Sequence, residues 1–356
     1  MSAPLVGVGA LSAAFAGWGL LFQRTHSYQR TQALRKLSKS FQPPPVQGVY
    51  MNRPTAEKEI EEYLSSHPSE GYVVATSPKG SGKSTVLNHV LRGRVGVLLV
   101  RITPADVDMI KAIVRALNVN PDFLEGSEHD FVLELCRAFK EQHSSYPVIV
   151  LDMEGDYAPD WVAAAAKALG HMQKFLTSDN AAAHSISDIS AMAVASCVVA
   201  DPRASFVYVP ELSHVDARVM LESFIATAAA RSIDISNLVS RVGGNPAVLK
   251  RLWRSPARLE TEEMTARVEV NRLVTIHPSH KIALFELAKR PFHEGMKQID
   301  FEKLAKGTLD YSGKISEQYN RVIHINLQNL HVVFHKFTSF RMTQELMRDE
   351  NVTVES

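Results

Sequence analysis

The chain has little cysteine, no acidic residue before Glu57, and almost no net charge. Only Cys136 and Cys197 occur among 356 residues. That is too few for a disulfide framework, and neither stands at metal-ligand spacing from histidine. Each therefore reads as a small buried hydrophobe in a reducing compartment. With 39 Lys and Arg against 38 Asp and Glu the formal charge is +1. No protein-wide field is available to hold a nucleic-acid backbone or an acidic partner, so any such binding has to be local. Compositional bias is also missing: 45% hydrophobic and 22% charged residues exclude a disordered or fibrous chain and leave room for two modest cores. His277, His280, His293, His324, His331 and His335 crowd the C-terminal part without the carboxylate or cysteine spacing of a metal site, and read as structural or surface residues.

What the N-terminus does contain is a charge-free run, residues 3–22. About twenty helical residues span roughly 30 Å, the thickness of a bilayer's hydrocarbon core, so the run reads as one transmembrane helix. A cleaved segment or a packing helix that never meets lipid is the alternative. Gly9, Ala13 and Gly17 recur at every fourth position, a spacing that lets a second membrane helix approach. Arg24, Arg30, Arg35, Lys36 and Lys39 then follow among serines and threonines. A basic, acid-free leader is the composition of mitochondrial or chloroplast targeting segments, whereas a secretory signal carries its charge before the apolar stretch. The basic flank places everything downstream on the inside face. The expectation is a mitochondrial inner membrane with soluble domains in the matrix; a chloroplast or other membrane is the alternative. Pro43, Pro44, Pro45 and Gly48 forbid helix and mark an extended spacer, so residues 1–50 are expected to be targeting segment and linker.

Residues 72–75 read as a strand and 86–91 as a helix. Between them stands Ser77-Pro78-Lys79-Gly80-Ser81-Gly82-Lys83-Ser84-Thr85. Strand, glycine loop and helix is the context of a phosphate-binding loop. Glycines let successive main-chain N–H groups turn inward, and the helix N-terminus adds a favourable partial charge. In this reading Lys83 reaches the β- and γ-phosphates of a nucleotide, Ser84 offers its hydroxyl to Mg2+, and Thr85 lies near the α-phosphate. Ser77 replaces the usual first glycine at the strand end, the least intimate approach to phosphate.

Residues 148–151 form a continuous apolar run, as expected of a strand buried on both faces, and end in Asp152-Met153-Glu154. An acid there lies beside the phosphate loop. Asp152 is the candidate for the magnesium shell and Glu154 for orienting and deprotonating the attacking water, with Asp156 as fallback. Further strands are expected at 95–102, 192–199 and 206–209, and strands alternating with helices predict a parallel α/β sheet. Ser196 is the candidate γ-phosphate sensor; the alternative is a packed serine.

Together the 77–85 loop, the strand ending in Asp152-Met153-Glu154, the Pro210-Glu211-Leu212-Ser213 helix start and the Gly243-Gly244-Asn245-Pro246 turn resemble the STAND-type P-loop ATPases, in particular the archaeal-ATPase group of the AAA-like superfamily. The resemblance covers about residues 51–253 and only its phosphate loop is highly specific. It implies ATP and Mg2+, a helical lid, and Asn245 and Pro246 beside the adenine or ribose, an ordinary interhelical turn being the alternative. It also implies a nucleotide-controlled switch or assembly protein working with a protein partner or a second copy of itself. Beyond residue 255, helices at 281–289 and 301–306 and a strand pair at 330–341 anchored by Phe334, Phe337 and Phe340 look like a winged helix. The expected layout is an ATPase domain with lid at 51–255 and a C-terminal domain at 256–356. The competing reading is a scaffold that binds nucleotide without hydrolysis, or a nucleic-acid adaptor acting through the C-terminal domain. Neither Arg203 nor Arg241 can be assigned as an arginine finger.

Overall fold

The computed structural model describes residues 26–45, 49–103, 106, 108–153, 159–190, 201–225, 234–276, 278–292, 294–305, 322–326, 331–334 and 337–349. In chain order, α1 (His26–Leu37) and α2 (Pro54–Ser65) precede β1 (Tyr72–Ser77). Then α3 (Lys83–Leu91), β2 (Val97–Ile102), α4 (Met109–Ala116), α5 (Glu128–His143), β3 (Val148–Met153), α6 (Pro159–Lys174), β4 (His184–Ser190) and β5 (Ala204–Tyr208) follow. All strand pairings in this five-stranded sheet are parallel, and the spatial order is β2-β3-β4-β1-β5.

Every residue of β1 and β3 is buried, because helices cover both faces. Alternation along the strands divides the core. Tyr72, Val74, Ile149 and Leu151 pack on the side of α4, α5 and α6. Val73, Ala75, Val148 and Val150 pack on the side of α2 and α3. Ala75 thus shares its face with the helix that follows the glycine loop.

Helix α1 differs from the expectation of a linker. Ala33 and Leu37 are buried against α5, the His26 ring meets Phe131 edge-on at 5.5 Å, and Ser38 Oγ lies 2.9 Å from His143 Nε2. Three main-chain bonds tie the end of α1 to the loop before β2: Gly96 N–H to Leu37 O at 2.8 Å, Phe41 N–H to Arg94 O at 2.8 Å, and Gly93 N–H to Phe41 O at 2.9 Å. The charges that dominate this stretch point outward and mask an apolar stripe only two residues deep. Residues 3–22, expected to cross a membrane, lie outside the described residues. Among the described residues no helix is long and apolar enough to cross one.

Beyond β5, helices α7 (His214–Ile225), α8 (Ile235–Val242) and α9 (Pro246–Arg254) build a separate apolar cluster around Leu212, Met220, Leu221, Leu238, Val242 and Leu249. Ser213 caps α7 as expected: its Oγ accepts from Asp216 N–H at 3.1 Å and donates to the Asp216 carboxylate at 2.7 Å. There follow α10 (Leu259–Ile276), α11 (Pro278–Ala288), β6 (Met296–Lys297), α12 (Gln298–Ala305), β7 (Ile323–Asn326), β8 (His331–Phe334) and α13 (Phe337–Asp349), with the strands in an antiparallel sheet of order β6-β8-β7. The strand pair expected over 330–341 is corrected here. β8 pairs with β7 upstream, so Phe337 and Phe340 are free to lie on α13, where both rings meet Phe292.

If α1 belongs to the folded core, Leu37→Ala costs about 2–4 kcal/mol in urea unfolding, while Arg35→Ala stays within about 0.5 kcal/mol. Equal, negligible effects of both would show that the helix is an appendage.

Candidate functional site

The phosphate-loop geometry follows from its small residues. Gly80 and Gly82 adopt positive φ of 86° and 99°, which only glycine takes up without strain. Gly82 stands at the N-cap of α3 and supplies no side-chain cap, so the first-turn N–H groups are not satisfied by a capping side chain, the arrangement that receives an anion. Ser84 is exposed at this helix end. The hydroxyl of Ser81 donates to that of Ser77 at 2.7 Å, and Ser81 N–H donates to Pro78 O at 3.2 Å. Ser77 and Ser81, both buried, therefore brace the loop from inside.

Register places the acids. Asp152 of β3 pairs with Asp188 of β4, and Asp188 pairs with Ala75 of β1. Paired residues in a parallel sheet share a face, so both carboxylates lie on the α3 side, two residues before the point where β1 runs into the glycine loop. Glycines and Asp152 occupy the same edge of the sheet. Both carboxylates are buried, and the Lys83 ammonium forms an ion pair with Asp188. Burial pushes the Lys83 ammonium down to about 8 from 10.5, with the Asp152 charge pulling the other way.

Asp188 was not anticipated. The strand carrying it, His184-Ser185-Ile186-Ser187-Asp188-Ile189-Ser190, is largely polar and lacks the apolar run that announced β3. It occupies the central position between β1 and β3, whereas the sequence reading expected a sensor-bearing strand at residues 192–199 and none at 184–190. Those residues, Ser196 among them, lie outside the described set, as do Glu154 and Asp156. The usable signal was an acid between two isoleucines, Ile186 and Ile189, in a short run of small polar residues.

Asn245 and Pro246 meet the loop itself. Asn245 Nδ2 donates to Lys79 O at 3.0 Å and to Glu211 Oε1 at 2.9 Å, while its Oδ1 caps α9 by accepting from Ala247 and Val248 N–H. Ala247 N–H donates to Gly80 O at 3.2 Å. A Cβ on Gly80 would lie 2.7 Å from both Asn245 Oδ1 and Ala247 Cβ, so the loop and the α9 turn fit only with glycine. Lys79 is exposed and contributes its carbonyl to this contact. Arg53, also unanticipated, reaches from the segment before α2 to Ser81 O at 3.5 Å and Pro210 O at 3.4 Å.

Neither arginine considered from the sequence lies free beside the loop. Arg203 accepts the Tyr72 N–H at the start of β1, the sheet edge away from the glycines. Arg241 holds Glu263 of α10, which Arg341 of α13 also holds.

The described α/β sheet flanked by helices, with its glycine loop after β1, has the form of a P-loop NTPase. No family model matches the chain, and no curated protein matches it in sequence. Among solved structures it is similar to a Walker-type ATPase of Pyrococcus abyssi, with 12% identity and a TM-score of 0.48 over 86% of this chain and 99% of that one. It is also similar to Cdc6p of Pyrobaculum aerophilum, with 15% identity and a TM-score of 0.38 over 89% and 98%. A third is Drosophila ORC bound to DNA, with 12% identity and a TM-score of 0.41 over 92% and 80%. Likenesses this distant carry no functional assignment, which rests on the loop and the register.

Because folded Lys83 holds its proton less tightly than an unfolded lysine, its burial costs stability below about pH 8, and stability recovers as pH climbs from 8 towards 10.5. The Lys83 ε-carbon resonance is expected to titrate near pH 8. Asp188→Asn, by removing an anion, moves that midpoint lower; an unchanged or raised midpoint contradicts the pairing.

Proposed function

We propose that the chain binds ATP with Mg2+ and hydrolyses it as a nucleotide-controlled switch or assembly protein. The observation that carries this reading is the placement of the glycine loop, Lys83 and Asp152 on one edge of the sheet, with Lys83 held between two buried carboxylates. The residues suit a hard cation: Ser84 offers an exposed hydroxyl at the helix end and Asp152 a buried carboxylate, and oxygen donors of this kind are what Mg2+ prefers. When bound, Mg2+ supplies neutralisation of charge across the β- and γ-phosphate oxygens.

The chain's own groups do the rest. Main-chain N–H groups at 80–85 enclose the phosphates, and Lys83 leaves Asp188 to pair with the γ-phosphate oxygens. Asp188 then stands on the central strand as the polar group nearest the terminal phosphate, the role the sequence reading gave to Ser196. Glu154 orients a water and accepts its proton as oxygen attacks phosphorus and the bond to the β-phosphate bridging oxygen breaks. Asn245 holds the loop from outside through Lys79 O, and α7, α8 and α9 serve as the lid. The elements from α10 to α13 form the C-terminal winged-helix-like domain. We extend the proposal to location: residues 3–22 anchor the chain in an organellar membrane, the mitochondrial inner membrane by composition, with the folded part on the matrix side. The partner is a protein or a second copy of the chain.

Binding of a fluorescent ATP analogue with Mg2+ and release of phosphate test the roles separately. Lys83→Ala weakens binding by more than about tenfold, a change of about 1.4 kcal/mol. Glu154→Gln keeps binding and lowers turnover by about a hundredfold, the scale of a lost general base. Undiminished phosphate release by both variants removes the assignment. Retained binding with no measurable turnover in the unaltered protein favours the scaffold reading.

A further inference from the structure

The outer face of α1 is basic in a way the nucleotide site does not use. Ser27, Thr31 and Arg35 are exposed and recur at four-residue spacing on the side away from buried Ala33 and Leu37, with exposed Arg30 on the same helix and exposed Lys39 two residues past its end. Burial and the like charge of Lys39 hold the Lys36 ammonium below its usual range, and no acid offsets them. The main-chain bonds from Leu37 and Phe41 to residues 93–96 bring the Arg92-Gly93-Arg94-Val95 loop to the end of this helix, and Ser40 Oγ adds a bond to Gly93 O at 3.0 Å. Arg92 and Arg94 are exposed there, beside Val95, which is 39% exposed. Neither residues 26–41 nor 91–96 contain an acid. Two segments distant in sequence are thus pinned together by hydrogen bonds into one cationic surface at the C-terminal end of α1, away from the Glu134 carboxylate of α5, which lies 3.6 Å from His26 Nε2 at the other end.

We infer that this surface docks on an anionic bilayer surface, seating the folded domain directly against lipid headgroups rather than leaving it on a flexible tether. Cations held on a fixed helix face gain favourable energy near an anionic leaflet, and an apolar residue among them can enter the interface. The inference rests on the membrane reading only for its choice of lipid over nucleic acid: the charge-free run ends at Phe22, four positions before α1 begins. That leaves no room for a spacer, so a chain anchored by that run must bring α1 to the membrane. The proline segment, which looked like the spacer, comes after α1 instead.

Co-sedimentation of the full chain with vesicles tests this, using zwitterionic lipid alone against a mixture one-third anionic. The expected result is an excess affinity of about tenfold or more for the anionic vesicles at low salt, falling as salt is raised. The variant Arg35→Glu/Lys39→Glu/Arg92→Glu loses the excess. The variant Lys58→Glu/Lys111→Glu/Arg218→Glu, with the same charge change at exposed positions elsewhere, keeps it. Thermal midpoints of both variants establish that they fold. An excess that survives the first variant, or is lost equally in both, overturns the inference. So does duplex DNA that binds through the same three residues more tightly than anionic vesicles at equal ionic strength. Salt-insensitive retention on zwitterionic vesicles reports on residues 3–22 alone, and its absence would remove the anchor while the anionic excess still decides the surface. ATP-analogue binding, measured alongside, reports on the nucleotide reading independently.

Discussion

Two buried carboxylates in neighbouring register positions flank one buried ammonium, and the site is built around that arrangement. Asp152 and Asp188 stand on adjacent strands, about 4.8 Å apart along the hydrogen-bonding direction. Burial removes the water that would screen them. Lys83, fixed as the first residue of α3 by the αL turn at Gly82, supplies the opposite charge. A buried carboxylate and an exposed hydroxyl beside the glycine loop are hard oxygen donors, which is why the proposed ligand is a nucleotide together with a divalent cation.

The loop is held from three directions. From within, Ser77 and Ser81 bond to each other. From the N-terminal side, Arg53 reaches the Ser81 carbonyl. From the helical cluster, Asn245 and Ala247 take the carbonyls of Lys79 and Gly80. The last contact continues outward. Gly244 lies so close to the chain at Leu212 that a Cβ would fall 1.8 Å from its carbonyl oxygen, and Gly243 packs against Phe337 of α13. Arg241 and Arg341 clasp Glu263 between α8, α10 and α13. A contiguous set of packed groups thus runs from the phosphate loop to the C-terminal elements.

Local signals were legible and non-local ones were not. The glycine loop, the helix after it and the apolar strand ending in Asp152 are each written in consecutive residues, and each stands where the sequence places it. The Ser213 cap and the start of α9 at the Asn245-Pro246 turn were equally local. Asp188 escaped because β4 draws its burial from its neighbours β1 and β3 rather than from its own composition. Three serines and a histidine in seven residues do not announce the centre of a sheet. Arg53 and α1 escaped for a related reason. Their contacts lie with residues far along the chain, and in α1 the exposed charges outnumber the two buried apolar residues that fix it. Phe334, Phe337 and Phe340 were recognised as anchors, but the hairpin partner of β8 lay upstream, which turned two of them onto a helix.

The most direct test of the central claim is the position of Mn2+, read from its anomalous scattering, in crystals of the protein with a non-hydrolysable ATP analogue. The account predicts the ion between the Ser84 hydroxyl and Asp152, the terminal phosphate at the Lys83 ammonium, and Asp188 no longer paired with it. Phosphates bound away from residues 80–85, or an ion with neither Ser84 nor Asp152 in reach, would contradict it.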